Sequence, residues 1–141
     1  MSVDTTTNSV NPSRNEIIYK DLGISFQSHP VTKKLTVLKN ENAVKRAIKN
    51  LILTNKGEKF FRPLYGGNIN SYLFENFTRV TEIDVRRDII NAIETYEPRA
   101  TVLDVIVNAR EDQNTLRVTI IFSIKDSRTP VELSFNVERI R

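Results

Sequence analysis

Apolar residues recur along this chain with two periods, and the period changes past the middle. Ala43, Val44, Ala47, Ile48, Leu51 and Ile52 repeat at helical spacing and form one stripe, with Lys45, Arg46 and Lys49 off it. Asn40 is the expected N-cap of this helix and Gly57 its expected C-terminal stop. A second long helix is predicted from Thr81, because Thr81-Glu82-Ile83-Asp84 approximates a capping box. Val85, Ile89, Ala92, Ile93 and Tyr96 would carry its buried face. Pro98 ends it near Glu97, since the residue before proline disfavours the helical region. A short helix over Ser71–Phe77 would place Leu73, Phe74 and Phe77 on one side.

Beyond Pro98 the period becomes two. Leu103, Val105, Val107 and Ala109 alternate with other residues. After the polar turn Glu111–Asn114, Leu116, Val118, Ile120, Phe122 and Ile124 alternate again. After Lys125–Pro130, so do Val131, Leu133, Phe135 and Val137. Three such runs predict an antiparallel meander with one buried face. The expected fold class is α+β, with two main helices and a short one packed on a C-terminal meander.

The flanks are less regular. Ile24 and Phe26, then Leu35 and Val37, suggest short extended pieces on either side of His29-Pro30. Residues 1–15 are rich in Ser, Thr and Asn and too poor in apolar side chains to offset their ordering entropy. They read as a flexible arm, leaving 16–141 as one domain. Within the connector 58–70, Pro63 and Gly66-Gly67 exclude regular structure, whereas Phe60, Phe61, Leu64 and Tyr65 favour burial. So apolar a loop is expected to pack on the core or on a partner.

Composition narrows the chemistry. The chain has 141 residues and no cysteine, so thiol nucleophiles, redox switches and cysteine-built zinc or iron–sulfur sites are excluded. A domain of this length buries a core without such staples. No apolar run approaches the ~20 residues of a membrane span, and the first residues lack the pattern of a signal peptide. A soluble intracellular protein with no membrane partner is expected.

The net charge of +4 is unevenly spread. Nine basic residues lie between Lys33 and Arg62 with only Glu41 and Glu58 among them, whereas nine acids face five arginines from Glu75 to Asp112. The basic stretch suits either an anionic partner or a solvated helix face. Only Phe60 and Phe61 interleave with it, which is thin for base stacking, so nucleic acid is not the expected partner. His29 is the one imidazole; it sits before Pro30, and the sequence marks no Ser or Asp as its partner in a triad. Neither a G-x-S-x-G elbow nor a Walker motif occurs, and no metal or cofactor is expected. A glycosidase would need two carboxyls across a cleft; Glu58, Glu75, Glu94 and Glu97 are available, but nothing around them singles out a pair.

One constellation stands apart. Tyr96-Glu97-Pro98-Arg99 joins the second long helix to the meander, and Glu97 and Arg99 flank the corner fixed by Pro98. They can pair with each other, holding helix to sheet, or reach a partner. Upstream lie Thr54–Gly57, Arg62-Pro63, Gly66-Gly67 and Leu73-Phe74-Glu75-Asn76.

In this order, from about Ala43 to Ile140, the pieces resemble the W-like baseplate wedge and sheath-initiator family of contractile-tailed bacteriophages. That family is related to a baseplate component of type VI secretion machines. The resemblance implies a structural component of the tail baseplate, carried in the virion and assembled in the host cytoplasm. It implies partners among the larger wedge proteins, bound through the helical face and the Glu97-Pro98-Arg99 corner, with Leu73, Phe74 and Glu75 as a second matching element. It also implies a tail-sheath partner. The last strand, with Val131, Leu133, Phe135, Asn136 and Val137, would dock a sheath strand and so template the first sheath ring. Some relatives have been labelled lysozymes, so a cell-wall hydrolase of the tail is the alternative; no catalytic residue is assigned.

Overall fold

The computed structural model describes residues 19–22, 33, 37–75, 77–110, 115–125 and 129–138. The arm at 1–15, Ile24, Phe26, His29-Pro30, Leu35, Asn76, the turn Glu111–Asn114 and Ile140 lie outside the described residues. The elements run β1 (Lys20–Leu22), β2 (Val37–Lys39), α1 (Glu41–Leu53), α2 (Ile69–Tyr72), α3 (Arg79–Tyr96), β3 (Ala100–Arg110), β4 (Thr115–Ile124) and β5 (Pro130–Glu138). The fold is α+β. Helices pack on one face of a three-stranded antiparallel sheet of order β3-β4-β5, while β1 and β2 form a separate antiparallel pair beside α1.

The central strand shows why this face is buried. Leu116, Val118, Ile120, Phe122 and Ile124 of β4 are all inside, and they meet Val44, Ile48, Leu51 and Ile52 of α1 and Val85, Ile89, Ala92 and Ile93 of α3 in one cluster. Both helical stripes fall where the spacing places them. A strand paired on both sides leaves no backbone group wanting a partner, so its alternation follows the pleat without interruption.

Several boundaries depart from the sequence reading. Asn40 does precede α1, but its side chain does not cap the helix. Its Oδ1 instead accepts the Tyr19 N–H at 3.1 Å, and its own N–H donates to the Tyr19 carbonyl at 2.8 Å, tying the N-terminal strand pair to the helix start. The end of α1 is Leu53 rather than Gly57, with Thr54 extended as the C-cap. Gly57, at φ 90°, turns the following loop. α3 begins at Arg79, two residues earlier than Thr81. Thr78 is its N-cap, and Thr78 and Thr81 form the reciprocal capping box. A Thr hydroxyl at the third helical position reaches back as a Glu or Gln would, so the capping box lies one turn before the expected Thr81/Asp84 pair. α2 covers only Ile69–Tyr72, followed by single turns, and Phe74 points outward instead of joining Leu73 and Phe77.

β3 carries a bulge. Val102 pairs with Phe122 and Asp104 with Ile121, so Leu103 is the extra residue. Ala100 is buried and Val102 half-buried before the bulge; Val105 and Val107 are buried after it, and Leu103 is exposed. Its expected inward position is therefore wrong: an inserted residue reverses the phase of a strand. The Asp104 carboxylate holds the bulge, accepting the Val105 N–H at 2.8 Å and Arg86 Nη2 of α3 at 2.6 Å.

Candidate functional site

The corner after α3 is a closed ion pair. Glu97 caps the helix, its N–H donating to the Ile93 carbonyl at 2.8 Å. Its carbonyl accepts the Ala100 N–H at 3.1 Å, closing a turn around Pro98. The Arg99 carbonyl accepts the Lys125 N–H at 3.0 Å, which fastens the turn to the end of β4. Glu97 is only 7% exposed, and its two carboxylate oxygens accept Arg99 Nε at 2.5 Å and Nη2 at 2.7 Å. That bidentate bond raises the Arg99 pKa further above its ordinary value, against the opposing effect of burial. The guanidinium also lies 5.5 Å from the Tyr19 ring centroid. Pro98 faces solvent and Arg99 is half-buried.

A second feature adjoins this corner. The Tyr96 ring meets Tyr65 edge-on, with centroids 5.0 Å apart, and Lys59 Nζ sits 3.9 Å over the Tyr65 ring. Burial raises the Tyr65 pKa and the Glu97 charge raises it further, while Arg62 opposes both. Tyr65 closes the loop that follows α1. A Cβ on Gly66 would meet the Thr54 carbonyl oxygen at 2.3 Å, and one on Gly67 would meet the Ile52 carbonyl oxygen at 2.9 Å. These glycines are thus more than a turn: they let the returning chain lie against the last turn of α1. Beyond them the loop carries Phe60, Phe61 and Leu64 out to 89%, 102% and 73% exposure. Packing on this chain's own core, the first expectation for the loop, does not occur; only Tyr65 tucks in.

Leu73, Phe74 and Glu75 follow α2, which is fixed when the Tyr72 hydroxyl donates to Asp88 at 2.8 Å. Burial, that hydrogen bond and nearby carboxylates push the Tyr72 pKa up to about 12. Leu73 is half-buried, whereas Phe74 and Glu75 are exposed. Asp88 lies midway along α3 and Glu97 at its end, about 13 Å farther along the axis at 1.5 Å per residue. The two matching elements therefore mark different stretches of α3. On β5, Val131, Phe135 and Val137 are buried and Leu133 half-buried, so these four anchor the strand, while Asn136 is exposed.

The sequence profile described as baseplate wedge protein gp25 matches residues 39–129. This chain belongs to the gp25 baseplate wedge family. It is 38% identical over 90 residues to the baseplate wedge protein gp25 of Enterobacteria phage T4, covering 64% of this chain and 68% of the relative. The fold is shared more widely. A Geobacter sulfurreducens protein provisionally named a tail lysozyme superposes with a TM-score of 0.66 at 23% identity, over 75% of this chain and 97% of the other. A chain of the anti-feeding prophage baseplate superposes with a TM-score of 0.59 at 20% identity, over 88% of each. The gp25 match takes in the loop, the second element and the corner, and ends one residue before β5.

Among the described residues, no three His, Cys, Asp or Glu side chains gather as a metal group would require, and no helix is long and apolar enough to cross a membrane. Sequence reasoning missed the link from Asn55 to the Glu58 carboxylate in the loop and the Tyr72–Asp88 bond.

Proposed function

We propose that the chain is a structural wedge subunit of a contractile-tail baseplate. It binds larger wedge proteins through its helical face, through Leu73, Phe74 and Glu75, and through the Glu97–Pro98–Arg99 corner. Its β5 receives a strand of the first tail sheath subunit, in a virion assembled in the host cytoplasm. The observation that carries this reading is the surface of the matched region. Phe74, Val80 and Ile83 around the start of α3, and Leu103 and Ile106 on β3, are large apolar side chains left exposed. Apolar side chains left out in such number suit a subunit that buries area against neighbours.

At the corner the Glu97 carboxylate is internal and already bonded, so the parts that meet a partner are the Pro98 ring and the outer edge of Arg99. Among the described residues β5 ends the sheet order, which offers its backbone edge for strand addition, and Glu132, Ser134, Asn136 and Glu138 lie on the outer face beside it. Asn136→Pro removes one backbone donor from that edge. Baseplates carrying it should form but fail to extend sheath, with circular dichroism confirming the fold. Full-length sheath on such baseplates assigns the docking to another edge.

The hydrolase reading has less support. The Glu58 carboxylate is held by Asn55, Asp84 by Arg87, Asp88 by Tyr72, Glu97 by Arg99 and Asp104 by Arg86. A general acid must instead keep its proton for the leaving group. Purified protein should not clear peptidoglycan suspensions above background. Clearing abolished by one Glu→Gln change, with the fold intact, overturns the structural reading.

A further inference from the structure

We infer that the loop Asn55–Tyr65 is a docking knob: Phe60, Phe61 and Leu64 insert into an apolar pocket, rimmed by carboxylates, on another protein subunit of the baseplate. This deepens the wedge reading and rests on it.

The loop is built to hold these side chains out. Gly67 N–H donates to the Leu51 carbonyl at 3.1 Å, pinning the base to α1, and Gly57 N–H donates to the Pro63 carbonyl at 2.8 Å across the middle. Turns from Arg62 N–H to the Lys59 carbonyl and from Tyr65 N–H to the Arg62 carbonyl, at 3.2 and 3.0 Å, shape the tip. Asn70 Nδ2 donates to Asn55 Oδ1 at 3.0 Å, bracing the loop against α2. Phe61 has φ 67°, in the left-handed region that a bulky aromatic rarely adopts. Such backbone persists where its surroundings impose it, and it concentrates at binding and switch segments. Here it aims a ring wholly into solvent. Two Phe and one Leu offer on the order of 500 Å² of apolar surface, more than half of what one partner gives a standard interface.

The charges around the knob select the partner. Lys56, Lys59 and Arg62 are exposed on the loop. Its one acid, Glu58, is exposed as well, but its carboxylate is engaged within the loop, accepting the Asn55 N–H at 2.9 Å and Asn55 Nδ2 at 2.8 Å. A cationic rim around an apolar tip is complementary to an apolar pocket with an acidic rim. Leu64 cannot stack on a base, so the third member of the tip favours a protein pocket over a nucleic acid.

The test uses the full chain in assembled tails. A photo-crosslinking phenylalanine analogue at position 60 should yield an adduct with a peptide of another baseplate subunit that carries Asp or Glu beside apolar residues. The combined changes Phe60→Ser, Phe61→Asn and Leu64→Ser should cut the chain's occupancy in purified tails at least tenfold while leaving its thermal midpoint unchanged. Lys56→Glu with Arg62→Glu should reduce occupancy in the same direction. If the triple variant misfolds, Phe61→Asn alone serves, since Asn tolerates the left-handed backbone, and the adduct stands by itself. Wild-type occupancy in the loop variants, an adduct with a second copy of this chain or with nucleic acid, or no adduct overturns the inference. So does flotation of the wild-type chain, but not the triple variant, with vesicles of three parts phosphatidylcholine to one of phosphatidylserine. In those outcomes the wild-type chain still enters tails. If the wild-type chain itself is absent from tails, the wedge reading fails and the knob with it.

Discussion

The corner at Glu97–Arg99 and the loop at Asn55–Tyr65 are neighbours, joined through Tyr96 and Tyr65, and each inverts the usual partition of polarity. At the corner a carboxylate is buried; on the loop two phenylalanines and a leucine are exposed. The inversions are sustained differently. A buried charge persists because a specific partner offsets its desolvation, here a two-point bond from Arg99. Exposed rings persist because the backbone beneath them is fixed elsewhere, by glycines packed against α1 and hydrogen bonds across the loop. The corner should therefore be sensitive to side-chain chemistry. The loop should be sensitive to its base and indifferent, in isolation, to its tip.

The base gives the sharpest way to break the comparison. Gly66 has φ 127°, and an added Cβ would stand 2.3 Å from the Thr54 carbonyl oxygen. Gly66→Ala should cost about 3 kcal/mol, read by urea unfolding, because neither backbone segment can give way cheaply. A loss below ~1 kcal/mol would show that the loop is not clamped to α1.

At the corner the effect should be next in size. Arg99→Ala leaves the Glu97 carboxylate buried without its two donors and should cost about 2 kcal/mol while the protein stays folded, with incorporation into baseplates lost. Adding Glu97→Gln removes the stranded charge and should restore about half of that stability. An unchanged midpoint for Arg99→Ala would mean the pair contributes no more than an exposed one.

The smallest expected effect sharpens the contrast. Phe60→Ser removes a ring that buries almost nothing, so the isolated chain should unfold within ~0.5 kcal/mol of wild type. A larger loss would show that Phe60 packs on this chain in solution, and the loop would then be core rather than surface.

The matched segment adds a contrast of its own. Loop, second element and corner lie inside the family match at 39–129, whereas β5 lies beyond it. The proposed sheath strand therefore rests on its place at the sheet edge, while the proposed wedge contacts also share in the match.

How much of this was legible depends on the range of the interaction responsible. The stripe from Ala43 to Ile52, the face from Val85 to Tyr96 and the alternation of β4 were readable, because their periods are dictated by helix and pleat geometry within the segment itself. The order of Arg-Pro, paired Gly, Leu-Phe-Glu and Glu-Pro-Arg was readable as a family signature for the same reason: it is written along the chain. Tertiary structure alone decided that Leu103 is a bulge residue, because the cross-strand partner and Arg86 of α3 set that register. It decided that Asn40 serves Tyr19 rather than its own helix, since the competing donor lies 21 residues away. It decided, too, that Glu97 turns in while Phe60 and Phe61 turn out. Hydrophobicity states what a side chain gains by burial; whether a site for it exists depends on where distant backbone has already been placed.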